Sequence, residues 1–398
     1  MSIKAILAKE ALVGPELEVL KDACILVEDG KISEIMTKAD YTAFKNGAGA
    51  AASIEETDLG DRTVMPGLIE CHAHLALDAR VPNHLDLFAG SSECEHTISA
   101  LKGLKDELMA GITTSRSLGD RNYIDVVIRD QIKAGKVTGP DLLVCGVGMK
   151  GRHGHGYVGQ SHSGVEEFRR TARENMYRGV DCLKIFVTPG APSKTADDFI
   201  PCFITPEEIR TVVTEGKQLN IPTVAHCIGG MGLNYCVQEG VYCIEHLYSI
   251  KPEQVKLLEE QHEGWVDLTS GIVLDPGREE FLSPGHIRNM QGGRAYTREC
   301  LIPVYNSDKI RWTIGTDAYH GNLYKEVEIA VDCGAEPLRA VKAVTVNAAK
   351  MLRIDGKKGQ LAKGLNADII AVPSNPLNNV SVLGDVSFVM KSGTVYKA

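Results

Sequence analysis

The feature that most constrains the fold is a regular alternation of short apolar runs with segments that can form amphipathic helices. Eight such runs are present, at residues 67–70, 112–115, 142–147, 182–187, 223–225, 242–244, 265–268 and 312–314. Short buried strands that alternate with helices indicate βα units and a parallel sheet. Eight units over roughly 250 residues is the size of a closed barrel. We therefore predict an α/β fold with a (β/α)8 TIM barrel. A doubly wound open sheet is the weaker alternative, because no GxGxxG follows the first run.

The two ends of the chain have a different pattern, typical of short strands joined by tight turns. Glu28-Asp29-Gly30 separates two apolar runs near the start, and Lys391-Ser392-Gly393 does so near the end. Both are hairpin signals. The Ala/Gly-rich stretch at residues 47–52 is expected to be a loop between strands. We predict a small β-sandwich domain built from residues 1–65 and 354–398, with residues 66–353 forming the catalytic barrel.

Six polar residues lie within these apolar runs or within four residues of their carboxyl ends. They are His72, His74, Lys184, His226, His246 and Asp317. Two histidines at positions i and i+2 of a strand point to the same face and can bind one metal ion. Singly, each residue has an ordinary explanation, such as a surface histidine, a core histidine or a helix cap. Together they fall at the carboxyl ends of predicted strands 1, 4, 5, 6 and 8, the rim where barrel active sites form.

Lys184 is the most unusual of the six, because it lies inside an apolar run. Lysine is almost never fully buried without a partner. One interpretation is a lysine paired with a nearby acid. The other is a neutral amine that reacts with CO2 to give a carbamate, whose two oxygens bridge two metal ions; burial near cations favours the neutral amine.

The sequence resembles the amidohydrolase superfamily over nearly its whole length, and within it the two-metal group related to dipeptidases and imidazolonepropionase. The segments that carry the resemblance are residues 65–74, 111–116, 315–318 and 359–369. In addition, Lys184 falls where the bridging carboxylated lysine of that group is expected, and His226 and His246 fall where the ligands of strands 5 and 6 lie.

The resemblance implies a metal-dependent hydrolase that acts on carbon–nitrogen bonds. His72, His74 and Asp317 would hold one divalent ion and His226 and His246 the other, with carboxylated Lys184 between them. Zn²⁺ is the expected metal. A metal-bridging hydroxide would attack the amide carbonyl, and Asp317 would transfer the proton to the leaving nitrogen. The expected substrate is a small N-acyl amino acid, dipeptide or cyclic amide.

Substrate contacts are expected from the loop after strand 3 and from strand ends. His153 aligns best with a substrate-contacting histidine of related dipeptidases and His155 is its rival, although both can be surface histidines on a mobile loop. Arg116 either binds a substrate carboxylate or pairs with an acid in the barrel. Arg152, Tyr319 and His320 complete the candidates. Related dipeptidases often have His-Ala-Tyr after strand 5, whereas this chain has His226-Cys227-Ile228, so their specificity does not carry over.

Two other functions compete with this hypothesis. The first is a mononuclear imidazolone or cyclic-amidine hydrolase, or a deaminase, in which Lys184 stays unmodified; no HxxEH-like helix of the deaminase branch follows strand 5. The second is a non-catalytic scaffold, which is disfavoured because all six ligand positions are filled. Residues 270–294, rich in Gly and Pro, form a long excursion after strand 7 and are a candidate lid.

The amino-acid composition disfavours some classes of binding partner. The net charge of −9 without any basic run argues against nucleic acid and anionic membranes. Charged residues interrupt the N-terminus too early for a signal sequence, and eleven cysteines without a CxxC pair suggest reduced thiols. We therefore expect a cytoplasmic homo-oligomer that acts on a small molecule.

Overall fold

The computed structural model describes residues 2–47 and 53–398. The chain divides into two compact units. The terminal unit comprises Met1–Ile69, Asp106–Thr114 and Glu336–Ala398, and the central unit comprises Glu70–Lys105 and Ser115–Ala335. Most of the predicted 47–52 loop lies outside the described residues. The predicted domain boundaries at residues 65 and 354 stay a prediction.

The strands alternate with helices through the middle of the chain. The strands are β1 (Ser2–Val13), β2 (Glu18–Glu28), β3 (Lys31–Thr37), β4 (Ser53–Asp58), β5 (Thr63–Pro66), β6 (Leu68–Ala73), β7 (Ile112–Ser117), β8 (Asp141–Leu143), β9 (Met149–Gly151), β10 (Gln160–His162), β11 (Leu183–Phe186), β12 (Thr223–Cys227), β13 (Cys243–His246), β14 (Trp265–Leu268), β15 (Trp312–Ile314), β16 (Ile369–Val372), β17 (Phe388–Lys391) and β18 (Thr394–Lys397). The helices are α1 (Lys38–Asn46), α2 (His84–Gly90), α3 (Glu93–Met109), α4 (Ile124–Lys133), α5 (Val165–Tyr177), α6 (Pro206–Gln218), α7 (Gly230–Gln238), α8 (Pro252–Gln261), α9 (Gly271–Leu274), α10 (Pro284–Asn306), α11 (Leu323–Asp332), α12 (Pro337–Ala343) and α13 (Val346–Met351). Short 3₁₀ segments lie at Arg121–Tyr123, Pro276–Phe281 and Val380–Gly384.

In the terminal unit, strands from both ends of the chain form one sheet. Its order is β18-β17-β16-β5-β1-β2-β3, and β4 also pairs with β1. The two ends meet where β5 runs antiparallel to β16, with Met65 opposite Ile370. The prediction that the terminal segments pair is confirmed, while the division into a two-layered sandwich stays a prediction.

The predicted hairpin near the N-terminus is present, and an unpredicted helix follows it. The φ angles of Asp29 and Gly30 are 48° and 77°, and two positive φ values in a two-residue turn match the twist of the flanking strands. Helix α1 begins after Thr37, whose side chain accepts a hydrogen bond from the Asp40 amide, and it buries Tyr41 against the sheet. This region was expected to hold only strands and turns, and that expectation is wrong.

The central part of the chain contains a seven-stranded parallel sheet and a three-stranded sheet, and a strand overlaps each of the eight predicted runs. One sheet has the order β10-β9-β11-β12-β13-β14-β15 and another the order β6-β7-β8. Backbone hydrogen bonds continue past the strand ends, from the Asp317 amide to the His72 carbonyl at 2.7 Å and from the Asp181 amide to the Val144 carbonyl at 2.7 Å. The α/β class is confirmed.

Helix α6 begins with a reciprocal capping interaction. The Thr205 side chain accepts from the Glu208 amide, and the Glu208 carboxylate accepts from the Thr205 amide at 2.8 Å. This reciprocal capping box satisfies two backbone donors at the helix N-terminus. Within the described ranges, no helix is long and apolar enough to cross a membrane.

Candidate metal centre

The side chains at the carboxyl ends of the central strands converge on one point. Asp317 Oδ1 lies 3.2 Å from His74 Nε2 and 3.7 Å from His72 Nε2. The ring centroids of His72 and His246 are 4.8 Å apart, and those of His246 and His226 are 4.3 Å apart. The four imidazoles are buried, and Asp317 keeps 24% of its side chain exposed. One end of the centre is therefore open to a ligand.

Two of these residues have an unusual backbone. The φ angle is 83° at His246 and 68° at Asp317. A non-glycine residue in this left-handed region costs about 1–3 kcal/mol and persists only where its surroundings enforce it. Successive side chains of a regular strand point to opposite faces. The turn at His246 instead lets both it and the preceding Glu245 approach His72.

Each histidine is oriented by a hydrogen bond from the ring nitrogen that faces away from the centre. His72 Nδ1 contacts Glu245 Oε2 at 2.7 Å, and His74 Nδ1 contacts the Gly119 carbonyl at 2.8 Å. His246 Nδ1 contacts Thr269 Oγ1 at 2.7 Å, and His226 Nε2 contacts the Pro189 carbonyl at 2.9 Å. Such outer contacts fix the tautomer of metal-binding imidazoles.

Burial also keeps these rings in the form that binds metal. It lowers the pKa of His72, His226 and His246 well below the usual value, and it lowers that of His74. A neutral imidazole offers the lone pair that a metal ion needs. The pKa of the Lys184 amine is also lowered by burial, which favours the neutral amine.

Two buried atoms in this cluster lack any hydrogen-bond partner among the described residues: Lys184 Nζ and His72 Nε2. Lys184 is fully buried, and its charge acts to lower the pKa of all four histidines. Buried polar atoms without partners are rare in native proteins and require an explanation. A set of four imidazoles, one carboxylate and one amine fits divalent metal ions.

A layer of buried charge lies beneath the centre, and its acids were not predicted from the sequence. Arg116 Nη2 lies 3.1 Å from Glu245 Oε1, and the arginine side chain is 3% exposed. Two roles were predicted for Arg116, and the structure shows the second of them, an ion pair with an acid. Asp267 accepts from Thr313 at 2.5 Å, and burial raises its pKa well above the usual value. Asp267 interrupts an apolar run, the same signal that marked Lys184, and Glu245 directly follows one.

A cavity of about 350 Å³ opens over His74, His226, His246 and Asp317 within the central unit. Its apolar lining includes Leu77, Leu85, Phe186, Ile272, Leu282 and Met290. Its polar lining beyond the centre includes His84, His155, Arg278, His286 and Asn289. Several of these residues belong to the 270–294 excursion, so the predicted lid forms part of the cavity wall; its motion stays a prediction. Small-molecule sites have this size and mainly apolar character.

The candidates for substrate binding that were predicted from the sequence differ in whether they line the cavity. His155 lines the cavity, with its ring 4.7 Å from that of His226, and burial lowers its pKa to about 4. His153 is exposed and its ring packs against Phe203 at 5.6 Å. Arg152 is also exposed.

Tyr319 and His320 are buried beside the centre instead of facing its open side. His320 Nε2 contacts the Leu77 carbonyl at 3.2 Å, and the Tyr319 ring lies 4.3 Å from the Arg278 guanidinium. Of the predicted substrate-binding set, His155 is the member that the described cavity lining includes. Arg278 was not predicted, because it lies in an irregular segment that carries no periodic pattern.

Comparison with known proteins gives a consistent result. A profile of the Amidohydrolase family matches residues 63–396. Ochratoxinase from Aspergillus niger is 25% identical over 430 aligned positions, which cover 97% of this chain and 85% of that protein. A solved Xaa-Pro dipeptidase with bound methionine is 25% identical, with a TM-score of 0.82 and full coverage of both chains. A prolidase complexed with N-methylphosphonate-L-proline has a TM-score of 0.83 at 23% identity over 99% of each chain, which shows a shared fold.

Proposed function

The chain belongs to the amidohydrolase family and is a hydrolase that acts on carbon–nitrogen bonds, and from that premise we propose that it hydrolyses a small amide at a two-metal centre. The substrate classes are an N-acyl amino acid, a dipeptide or a cyclic amide. The observation that carries this proposal is the Lys184 amine, which is fully buried without a hydrogen-bond partner in the described structure and whose charge acts on all four histidines. A plain structural lysine would have an acid against it.

The site rests on a closed (β/α)8 barrel in this proposal. The backbone bonds that join Asp317 to His72 and Asp181 to Val144 support closure, because they link the ends of the two central sheets. A closed barrel brings the carboxyl ends of its strands to one rim. The ligands, which are far apart in sequence, would thereby be held at fixed distances.

The ligand set divides into two groups. His72, His74 and Asp317 would hold one ion, and His226 and His246 the other. The Lys184 amine would attack CO2 and lose a proton, which gives a carbamate with two oxygens to lie between the ions. When bound, the two divalent ions would polarise the scissile carbonyl and make a water molecule acidic enough to attack it.

Side chains of the protein itself would transfer the proton and position the substrate. The partly exposed Asp317 carboxylate faces the cavity, so it can accept the proton of the attacking water and pass it to the leaving nitrogen. His155 is neutral near pH 7, because burial lowers its pKa to about 4, and it can donate a hydrogen bond to the carbonyl oxygen. Apolar walls, Phe186 among them, would exclude bulk water.

A mononuclear hydrolase of an imidazolone or cyclic amidine, or a deaminase, is the second candidate. The observation in its favour is that ligand atoms of His72, His74 and Asp317 already lie within 4.8 Å of one another. One ion could occupy this group alone, and Lys184 would then remain an amine. The two candidates differ in metal content and in their dependence on Lys184.

The proposed function is tested by a hydrolysis screen of zinc-loaded protein against N-acyl amino acids, dipeptides and cyclic amides. We expect hydrolysis of at least one class, loss of activity with a chelator and recovery with zinc. Asp317→Asn is the matched control, and it should fold normally and lower kcat by a factor on the order of 10²–10⁴. Chelator-resistant hydrolysis, or an Asp317→Asn variant with full activity, would contradict the mechanism. Inactivity on all three classes would contradict the proposed substrates.

A further inference from the structure

Arg278 is a buried cation in the cavity wall that the proposed mechanism does not use. It lies in the short 3₁₀ segment Pro276–Phe281 of the central unit and lines the cavity. Its side chain is only 7% exposed. Arginine is rarely buried to this extent without a specific partner or function.

The guanidinium is held firmly on two sides. Its Nη2 donates to Glu326 Oε1 at 2.9 Å, and the other carboxylate oxygen of Glu326 accepts from the Gly271 amide at 2.8 Å. The Tyr319 ring lies 4.3 Å from the guanidinium carbon. Glu326 itself is fully buried. The guanidinium is therefore fixed before any ligand arrives, which lowers the entropy cost of binding.

The same group lies next to the proposed reacting centre. Nη2 is 3.5 Å from the Thr316 carbonyl, the residue directly before Asp317. A ligand group bound to this guanidinium would therefore be close to the amide bond that Asp317 serves. In an N-acyl amino acid, the carboxylate is separated from the scissile nitrogen by a single carbon atom.

The Arg278 guanidinium also has N–H donors that Glu326 does not engage. Hydrogen bonds in the described structure engage Nη2, whereas Nε is buried without a partner. Glu326 therefore neutralises one side of the group and leaves other N–H donors unused. Within the described cavity lining, Asp317 is the one carboxylate, so no acid of the cavity wall beyond the metal centre competes for these donors.

The excursion that carries Arg278 also contributes apolar side chains to the cavity wall. Ile272, Leu282 and Met290 line the cavity from the same excursion. A carboxylate in such a low-dielectric setting interacts strongly with a fixed guanidinium. An apolar side chain next to that carboxylate would be accommodated by the same wall.

We propose that Arg278 is a specificity-determining residue that binds the free carboxylate of the substrate. This inference rests on the proposed function and narrows its substrate class. The substrate is an N-acyl amino acid or dipeptide with an apolar side chain beside a free carboxylate, and a neutral cyclic amide is disfavoured. Arg278 acts on substrate selection and takes no part in proton transfer.

The test compares an N-acyl amino acid with its carboxamide, which has the same shape and lacks the charge. For wild-type protein we expect kcat/KM to favour the acid by a factor on the order of 10–100, the range for a charge-assisted hydrogen bond. The variant Arg278→Met with Glu326→Gln avoids leaving an unpaired buried carboxylate. It should bring this ratio close to one, mainly through a higher KM for the acid, with metal content unchanged.

Glu326→Gln alone is the matched control, because it keeps the guanidinium and should keep the preference for the acid. Equal hydrolysis of acid and carboxamide by wild type, or a full preference in the double variant, would overturn the role of Arg278. Hydrolysis of neither compound would count against the proposed function, and binding then gives a separate answer. In titration calorimetry the N-acyl amino acid should bind wild type at least tenfold more tightly than the double variant, and equal Kd values would overturn the inference.

Discussion

Glu245 and Arg116 orient His72 from beneath the proposed metal centre. Glu245 fixes the Nδ1 atom of His72, and Arg116 in turn holds Glu245 at 3.1 Å. His72 Nε2 is then left facing Asp317. Removing such outer partners typically reduces metal affinity 10–100-fold. Burying Arg116 and Glu245 costs electrostatic free energy, and in return the pair fixes the orientation of the His72 ring.

His155 and His153, in the loop after the third predicted strand, should differ in their effect on catalysis. His155→Ala should lower kcat/KM by a factor on the order of 10² with metal content unchanged, because it removes a hydrogen-bond donor facing the cavity. His153→Ala is the matched control and should stay within about twofold of wild type, the ordinary result for an exposed residue. Steady-state kinetics and metal analysis of both variants provide the measurement. Equal losses in the two variants would show that the cavity position of His155 is irrelevant.

Sequence patterns could identify the proposed ligands but not the residues that orient them. A polar residue that ends an apolar run, such as His226 or Asp317, stands out because the run itself is visible. Glu245 also ends an apolar run, but the adjacent His246 has a side chain typical of metal ligands, so the histidine was the residue predicted. Arg278 has no such signal, since its role depends on how an irregular segment folds over the cavity.

At the scale of elements, the predictable parts were those with strong local patterns. Each long apolar run gave a strand because strands of a parallel sheet are buried on both faces. β9 and β10 have three residues each, too few for a period to emerge. Helix α1 buries only Tyr41 among its residues whose burial is described, so its sequence shows little amphipathic pattern.

Helix α4 carries a buried acid whose titration should affect stability. Asp125 accepts from the Gly146 and Val126 amides at 2.8 Å each, yet burial raises its pKa to about 6. Because this pKa lies above the usual value of 3.8, the protonated acid favours the folded state. Its stabilising contribution is fully present below about pH 4 and is lost as the pH rises through 6.

The comparison with Asp125→Asn isolates this effect, because the amide does not titrate. The free energy of unfolding of wild type relative to the variant should fall by about 2 kcal/mol between pH 4.5 and 7.5. Urea unfolding of metal-stripped protein at both pH values avoids the separate effect of metal loss in acid. A difference that is constant with pH, or that rises, would show that Asp125 is ionised throughout.

At the scale of the whole molecule, the site depends on contacts between distant parts of the chain. His72 and Asp317 belong to the same cluster although 245 positions separate them. All proposed ligands and all described cavity-lining residues belong to the central unit. Such a site cannot exist in the unfolded chain, so bound metal adds its binding free energy to folding. Metal content therefore reports on the integrity of the whole arrangement.

The most direct test of the central claim is the number of metal ions per chain, measured by elemental analysis on wild type and Lys184→Ala purified in the same zinc-containing medium. Two ions bridged by a carboxylated Lys184 predict about two zinc ions per wild-type chain and about one or fewer in the variant, because the bridge is lost. About one ion in both proteins would favour the mononuclear alternative. Two ions retained in Lys184→Ala would contradict the bridging role of this lysine and with it the proposed centre.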